Sequence, residues 1–178
     1  MSYQAVSIKE AMNKINATTN GWFLPQIQRP YVWGGRHGSE SYVCSLFDSI
    51  LKGYPIGGLV VWETEARVPH REFLTNYDPL SKQRMVQEGR WGCAKGLIYD
   101  GQQRLQTLYS ALRYTFNGRV LIFDLCFDTN KEGQEPSETG FEFIDQSSEL
   151  PQGAVHLSQL FCQPEKGENK ITLRTEII

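Results

Sequence analysis

Two stretches of the chain place apolar residues at the spacing of one face of a helix. Ser7 and Glu10 have the spacing of a capping box, and apolar side chains recur with a helical period over residues 8–15. A second stripe of the same period covers Tyr42–Leu51, and Gly53 follows it where a glycine commonly ends a helix. The pattern therefore predicts two amphipathic helices in the first third of the chain.

Short runs of β-branched and aromatic residues predict the strands. Gly96–Tyr99 is the clearest of them, because it leads directly into a further amphipathic helix. Trp22–Leu24 is a second strand, and we expect Leu59–Trp62 to be a buried one. Val120–Phe127 is predicted to pair with Phe141–Ile144 in antiparallel fashion. Strands and helices thus alternate irregularly along the chain.

The pattern is weaker between and after these elements. Residues 64–96 have no sustained period and hold six basic and four acidic residues, so we interpret most of them as an inserted loop with one short strand at Arg71–Tyr77. His156–Phe161 predicts a last short helix or turn. The fold class predicted from all these elements is α+β, with a small mixed sheet flanked by helices.

Length and charge narrow the possible functions. The chain has 178 residues, the size of one ordinary domain, so we predict a single domain over residues 1–178. Its 18 basic and 20 acidic residues give a net charge of −2, which excludes a globally basic nucleic-acid binder and restricts any anion site to a local patch. No apolar run approaches the roughly 20 residues of a membrane-spanning helix, and no secretory signal is visible. We therefore expect a cytoplasmic protein that does not enter a membrane.

The strongest candidate chemistry lies where a strand meets a helix, in the sequence Asp100-Gly101-Gln102-Gln103-Arg104. A helix N-terminus attracts anions because its first N–H groups lack partners and carry the positive end of the helix dipole, and a glycine there admits a ligand. Arg104 adds a fork of donors suited to phosphate oxygens. Asp100 is a candidate to hold a divalent cation or orient an attacking water, while Gln102 and Gln103 are candidates to hydrogen-bond a ribose, a base or that water.

The same residues also fit a purely structural role. Asp100 and Gln103 have the spacing of a capping box, and Asp100 and Arg104 that of an i,i+4 ion pair. Because caps occur at every helix start, the local sequence leaves both interpretations open.

A second constellation lies in Pro25–Trp33, which we predict to be an extended loop because two prolines interrupt it. The loop holds Gln28, Arg29, Tyr31 and Trp33, which combine a phosphate-type donor with aromatic rings on which a base can stack. Tyr31 and Trp33 also fit core aromatics that close one end of the sheet, and for Trp33 the area that a tryptophan buries favours this interpretation. Arg29 does not fit a core position, so it is the stronger candidate for ligand binding.

A third candidate is the sequence Pro55-Ile56-Gly57-Gly58, just before a predicted strand. Gly57 permits a phosphate or ribose to approach the backbone closely. The pattern on its own favours a plain tight turn over a ligand site.

Three segments occur together in a characteristic order: Gln28–Trp33, then Gly53–Gly57 after a helix, then Ile98–Leu105 with its D-G-Q-Q-R motif. In this arrangement the chain resembles the N-terminal domain of GmrSD-type restriction endonucleases, from about the first helix to Phe161. The resemblance implies a fold similar to the ParB/sulfiredoxin group, with a phosphate or nucleotide site at a helix N-terminus.

The resemblance further implies binding, and hydrolysis with Mg²⁺, of a nucleoside triphosphate by a sensor or regulatory domain of a prokaryotic restriction or phage-defence system. The full-length protein would contact DNA, and a C-terminal nuclease domain or a partner subunit would act with this domain. Asp100, Gln103 and Arg104 would be catalytic, with Asp100 on the metal. Phosphate or nucleotide contacts would come from Gln28, Arg29, Tyr31, Gly57, Gly101, Gln102 and Arg104.

The chain departs from the family pattern in two ways. Its three isolated histidines cannot form an H-N-H nuclease, so we expect the chain to be the N-terminal part of a longer protein. Residues 64–96 are also longer than the family pattern leads us to expect. Sulfiredoxin chemistry is disfavoured because no cysteine adjoins the motif.

Two alternatives stay open beside the nucleotide site. One is a ParB-like DNA-binding module in which Arg29, Arg104 and residues 64–96 contact the phosphate backbone. The other is a non-catalytic interaction scaffold whose motif only caps a helix.

Overall fold

The computed structural model describes residues 4–33, 39–77, 93–127 and 139–162. The helices are α1 (Ile8–Lys14), α2 (Ser39–Leu51), α3 (Gln102–Arg113) and α4 (Leu157–Cys162). The strands are β1 (Trp22–Pro25), β2 (Val60–Thr64), β3 (His70–Arg71), β4 (Lys95–Asp100), β5 (Arg119–Asp124), β6 (Phe141–Asp145) and β7 (Ala154–His156). Much of the predicted inserted loop lies outside the described residues.

The strands form two sheets. One has the order β2-β4-β1-β3, with β1 and β4 parallel and the other neighbours antiparallel. The second has the order β6-β5-β7 and is antiparallel throughout. The α+β class is therefore confirmed, and so is the β5–β6 pairing. The predicted small mixed sheet is the first of these, and β5, β6 and the short β7 form a second sheet that the sequence pattern did not indicate.

Helix α3 is the central element of the hydrophobic core. The predicted apolar face is present, and Leu105, Leu108 and Leu112 are each about 1% exposed. The helix is nevertheless buried almost all round, and its polar side chains include Gln106, which is 1% exposed, and Thr107, which is fully buried. Buried polar groups need hydrogen-bond partners, so these side chains bind neighbouring segments. The tightly packed helix therefore presents its N-terminus in a fixed position.

A strand is present where Leu59–Trp62 predicted one, but the prediction that this strand is buried is wrong. Strand β2 lies at the edge of its sheet and pairs only with β4 among the described strands. Val60 is 56% exposed and Trp62 is 43% exposed. A run of β-branched and aromatic residues looks the same whether a strand is central or at an edge, which explains the error.

Two smaller predictions have opposite outcomes. The capping box is present, since the Ser7 hydroxyl accepts from the Glu10 N–H and the Glu10 carboxylate accepts from the Ser7 N–H. The Ser7 N–H and the Ser7 hydroxyl both donate to the Glu10 carboxylate, and these two bonds lower the pKa of Glu10. The strand predicted at Arg71–Tyr77 is wrong, because β3 ends at Arg71 and the backbone of Leu74 binds a side chain instead.

Nowhere in the described ranges is a helix long and apolar enough to cross a membrane.

Candidate functional site

Three chain segments meet at one edge of the four-stranded sheet. Strands β1 and β4 are parallel, so their carboxyl ends point to the same edge, where ligands commonly bind in α/β sheets. The loop with Arg29 follows β1, and Gly101 follows β4. Strand β2 is antiparallel to β4 and places Val60 opposite Asp100, so the segment before β2 reaches the same edge. The sheet topology therefore brings the three sequence candidates together.

The first turn of α3 has no side-chain cap. Its N-cap residue is Gly101, which has φ +84° and makes no side-chain hydrogen bond. The predicted capping box between Asp100 and Gln103 is wrong, because Asp100 is still extended as the last residue of β4. The helix therefore presents its positive end without a carboxylate or hydroxyl cap, an arrangement that favours an anion.

The two glutamines of the motif hold the loop after β1. The Gln102 amide donates to the Arg29 carbonyl over 3.3 Å, and the Gln103 amide donates to the Pro30 carbonyl over 3.2 Å. Gln103 also accepts from the Val32 N–H over 3.0 Å. Sequence reasoning assigned both side chains to ligand contacts, but their amides are engaged with backbone. In this structure they position the segment that carries Arg29.

Two further side chains fix the start of the same loop. Arg71 donates to the carbonyl of Gln28, and the Gln28 amide donates to the carbonyl of Tyr99 over 2.8 Å. Burial lowers the pKa of Arg71. The carbonyls of residues 28, 29 and 30 thus each accept from a different side chain, which gives the loop a defined shape. Ordering a loop in this way costs conformational entropy that hydrogen bonds must offset.

Arg104 binds the turn at residues 55–58. Its guanidinium donates to the carbonyl of Ile56 and, over 2.8 Å, to the carbonyl of Gly58. The predicted ion pair with Asp100 is present at 3.6 Å. Gly57 has φ +83°, and a Cβ there would lie 2.4 Å from Arg104 Nη1. The glycine therefore serves at least to admit the guanidinium, which in turn holds residues 55–58 against α3.

This packing makes a prediction for Gly57→Ala. We expect it to lower the free energy of unfolding by about 2–3 kcal/mol, from the left-handed backbone and from displaced Arg104 hydrogen bonds. Gly53→Ala is the matched control, because Gly53 has φ +70° but open space around it, and it should cost only about 1 kcal/mol. Urea unfolding of both variants measures the difference. Equal losses would contradict the proposed crowding by Arg104.

The two aromatic residues of the first loop have different surroundings. The Tyr31 ring packs edge-on against Tyr77 and Phe116, and its hydroxyl lies 2.6 Å from the Thr107 hydroxyl. Because Thr107 donates to a backbone carbonyl, Tyr31 is the donor in this pair. Burial raises the pKa of Tyr31, so its hydroxyl keeps the proton. Trp33 also packs against the core, as the structural interpretation predicted, but it additionally borders the pocket described next.

A pocket of about 230 Å³ lies between these segments. It is lined by Gln28, Arg29, Trp33, Tyr99, Asp100, Gly101, Gln102, Gln103 and Arg104. Among the predicted ligand contacts, Tyr31 and Gly57 lie outside this lining. Tyr99 was missed, because an aromatic residue in a buried-looking strand gives no signal that it borders a site. The pocket therefore joins residues 28–33 and 99–104 directly, while residues 55–58 support it through Arg104.

Two charged side chains at the pocket are free for a ligand. Arg29 is exposed, and its guanidinium has no partner among the described residues. The Asp100 side chain is 72% exposed, and its one partner among the residues that the structure describes is Arg104, at 3.6 Å. An ion pair this exposed adds at most about 1 kcal/mol. These two groups supply one unengaged cation and one accessible carboxylate beside the positive end of α3.

The pocket offers a divalent cation few protein ligands. Within the described ranges, no group of three His, Cys, Asp or Glu side chains is placed to hold a metal ion. Mg²⁺ is commonly bound through one or two carboxylates together with substrate phosphates. The single carboxylate of Asp100 fits that second arrangement and not a metal cage built by the protein alone.

The model of one protein family matches the chain over residues 8–174. That family is described as the GmrSD restriction endonuclease, N-terminal domain. The chain belongs to this family. A comparison with curated proteins gave no match. Membership of the GmrSD N-terminal domain family implies a restriction and phage-defence context, in which DNA and a C-terminal nuclease are the expected partners. The likeness to the ParB/sulfiredoxin fold stays a prediction.

Proposed function

We propose that this GmrSD N-terminal domain binds a nucleoside triphosphate in the pocket between Arg29 and the N-terminus of α3, and hydrolyses it to regulate DNA restriction. The observation that carries the proposal is the unengaged Arg29 guanidinium facing the same pocket as an uncapped helix start. Both features favour an anion with several oxygen atoms, and a phosphate group is such an anion.

The size of the pocket supports a phosphate site. Pockets that enclose a whole drug-sized ligand measure about 300–1,000 Å³. The 230 Å³ between the loop and α3 suits the phosphate groups of a nucleotide, with the base outside. Arg29 binds the phosphates directly. Arg104 adds positive charge from the first turn of the helix, while its donors keep residues 55–58 in place.

The proposed reaction is in-line attack of a water oxygen on the γ-phosphorus. The new P–O bond forms as the bond to the β,γ-bridging oxygen breaks, so a nucleoside diphosphate leaves. Asp100 orients the water and accepts its proton, since its carboxylate is exposed at the pocket. Arg29 neutralises charge on the phosphoryl oxygens in the transition state. Mg²⁺, held by the phosphates and reached by Asp100 through a bound water, would supply further charge neutralisation when bound.

Gln103 has a positioning role in this account. It was a candidate to hold the attacking water, but both ends of its amide bind the loop of Arg29. Gln102 acts on the neighbouring carbonyl of the same loop. The motif therefore combines one reacting carboxylate with side chains that build the pocket around it.

Calorimetric titration with nucleoside triphosphates and Mg²⁺, followed by measurement of phosphate release, tests the proposal. We expect saturable binding at one site per chain and slow release of phosphate. Absence of binding would overturn the proposal. Salt-sensitive binding of DNA that persists without nucleotide would instead favour the DNA-binding module.

Gln103→Leu separates the positioning role from general stability. We expect it to lower the free energy of unfolding by about 2 kcal/mol, since the Pro30 carbonyl and the Val32 N–H lose their partner. The nucleotide affinity should fall at least tenfold, because the Arg29 loop is released.

Gln106→Leu is the matched control. Gln106 lies on the same helix and binds the N–H and the carbonyl of Leu74 over 2.9 Å and 2.8 Å. Its loss should cost a similar stability but change nucleotide affinity less than twofold, because Gln106 does not border the pocket. Equal losses of affinity in both variants would show that Gln103 acts only through overall stability.

A further inference from the structure

Two exposed aromatic rings lie beside the pocket. Tyr99 borders the pocket and is 36% exposed, and Trp62 is 43% exposed. The two ring centroids are 6.1 Å apart, with an angle of 56° between the ring planes. Aromatic side chains of this size usually contribute to a core or to a binding surface. Their exposure next to a candidate ligand site therefore calls for a functional explanation.

The register of the sheet explains why these rings leave the main core. Trp62 lies opposite Leu97, so these two side chains share one face of the sheet. The pairing skips Tyr99, and the Tyr99 ring lies next to the Trp62 ring on that face. Ile98 belongs to the main core cluster, whereas Leu97 packs in a separate small cluster with Phe23. The pair of rings is therefore on the face of the sheet away from the main core, at the end of β4 where Tyr99 borders the pocket.

The position of the rings matches the part of a nucleotide that the pocket does not enclose. A volume of about 230 Å³ accommodates phosphate groups but leaves the base outside. Every nucleobase has a flat π-face that stacks on aromatic rings, so stacking depends little on which base is bound. Gln28 also donates to the backbone carbonyl of Tyr99, which joins the Arg29 loop to the end of β4 that carries this ring.

We propose that Tyr99 and Trp62 form a stacking platform for the nucleobase of the bound nucleotide. This inference rests on the proposed function, since the platform serves a base whose phosphates occupy the pocket. Tyr99 makes the contact nearer the phosphates, and Trp62 extends the surface toward the exposed edge of the sheet. The platform gives the site affinity for a nucleotide over a bare polyphosphate.

Paired titrations with a nucleoside triphosphate and with inorganic tripolyphosphate, both with Mg²⁺, test this inference. Tyr99→Ala and Trp62→Ala should each lower affinity for the nucleotide roughly tenfold, a usual loss for one stacked base. Affinity for tripolyphosphate should change less than twofold. Tyr42→Ala is the control, because Tyr42 is 67% exposed on α2 and does not border the pocket. It should leave both affinities unchanged.

The titrations also separate this inference from the proposed function. If the wild type binds neither compound, the phosphate site itself fails. If it binds tripolyphosphate as tightly as the nucleotide, the phosphate site stands and the platform is wrong. Parallel losses for both compounds in Tyr99→Ala would show a structural role, which likewise overturns the platform. A parallel titration with single-stranded DNA gives a further outcome. If Tyr99→Ala and Trp62→Ala weaken only the binding of DNA, the rings serve a nucleic acid, and the platform for a nucleotide is wrong.

Discussion

Asp100→Asn is expected to lower the rate of phosphate release by at least about 100-fold, the usual contribution of a positioned general base. The amide keeps the size of the carboxylate but cannot accept the proton of the attacking water. Affinity for the nucleotide should change less than threefold, because Arg29 and the helix start provide the phosphate contacts. Single-turnover phosphate release at saturating nucleotide measures the chemical step separately from binding.

Stability should be almost unaffected by this substitution. Asp100 is not the helix cap, and its ion pair with Arg104 is largely exposed, so the free energy of unfolding should change by less than about 1 kcal/mol. Glu63→Gln is the matched control, since Glu63 is an exposed carboxylate on β2 that does not border the pocket. A rate for Asp100→Asn equal to that of the control would remove Asp100 from the mechanism.

Arg29→Ala is expected to weaken nucleotide binding by roughly 10- to 100-fold. Hydrogen bonds to charged groups contribute about 1.5–3 kcal/mol, and each 1.4 kcal/mol is a factor of ten in affinity. The folded chain should be as stable as the wild type, because the Arg29 guanidinium is exposed and has no partner among the described residues. Calorimetric titration combined with thermal unfolding measures both quantities.

Arg67→Ala provides the charge-matched control for Arg29. Arg67 is exposed in the segment between β2 and β3 and lies outside the pocket lining. Its removal changes the net charge by the same amount but should leave nucleotide affinity within twofold. If both variants bind equally well, Arg29 makes no phosphate contact. If both weaken equally, the attraction comes from overall charge and not from the pocket.

Local patterns in the sequence predict the strand, turn and helix around the motif. The run Gly96–Tyr99 and the apolar spacing after it locate β4 and α3 correctly, because both signals are short in range. The parallel pairing of β1 with β4 was not predicted from the pattern. It is this pairing that brings Arg29 to the start of α3, so sequence reasoning identified the participants without the geometry that joins them.

The roles of the glutamines could not be predicted from the sequence. Gln102 and Gln103 bind backbone groups about 70 residues earlier in the chain. A side-chain amide uses the same atoms to hydrogen-bond a ligand or a backbone group, so the residue type does not show which of the two it binds. The helix cap was mispredicted for a related reason. The spacing of Asp100 and Gln103 fits a capping box, but Gly101 takes the left-handed conformation and begins the helix itself.

A titration of the ¹⁵N-labelled chain with Mg²⁺ and a nucleoside triphosphate, followed by amide chemical shifts, shows where on the chain the nucleotide binds. The pocket predicts the largest amide shifts at residues 101–104, with a second group at residues 28–33. In Arg29→Ala, both groups of shifts should appear only at roughly 10- to 100-fold higher nucleotide concentration. Shifts confined to the basic segment around Arg67, or none at saturating nucleotide, would contradict it.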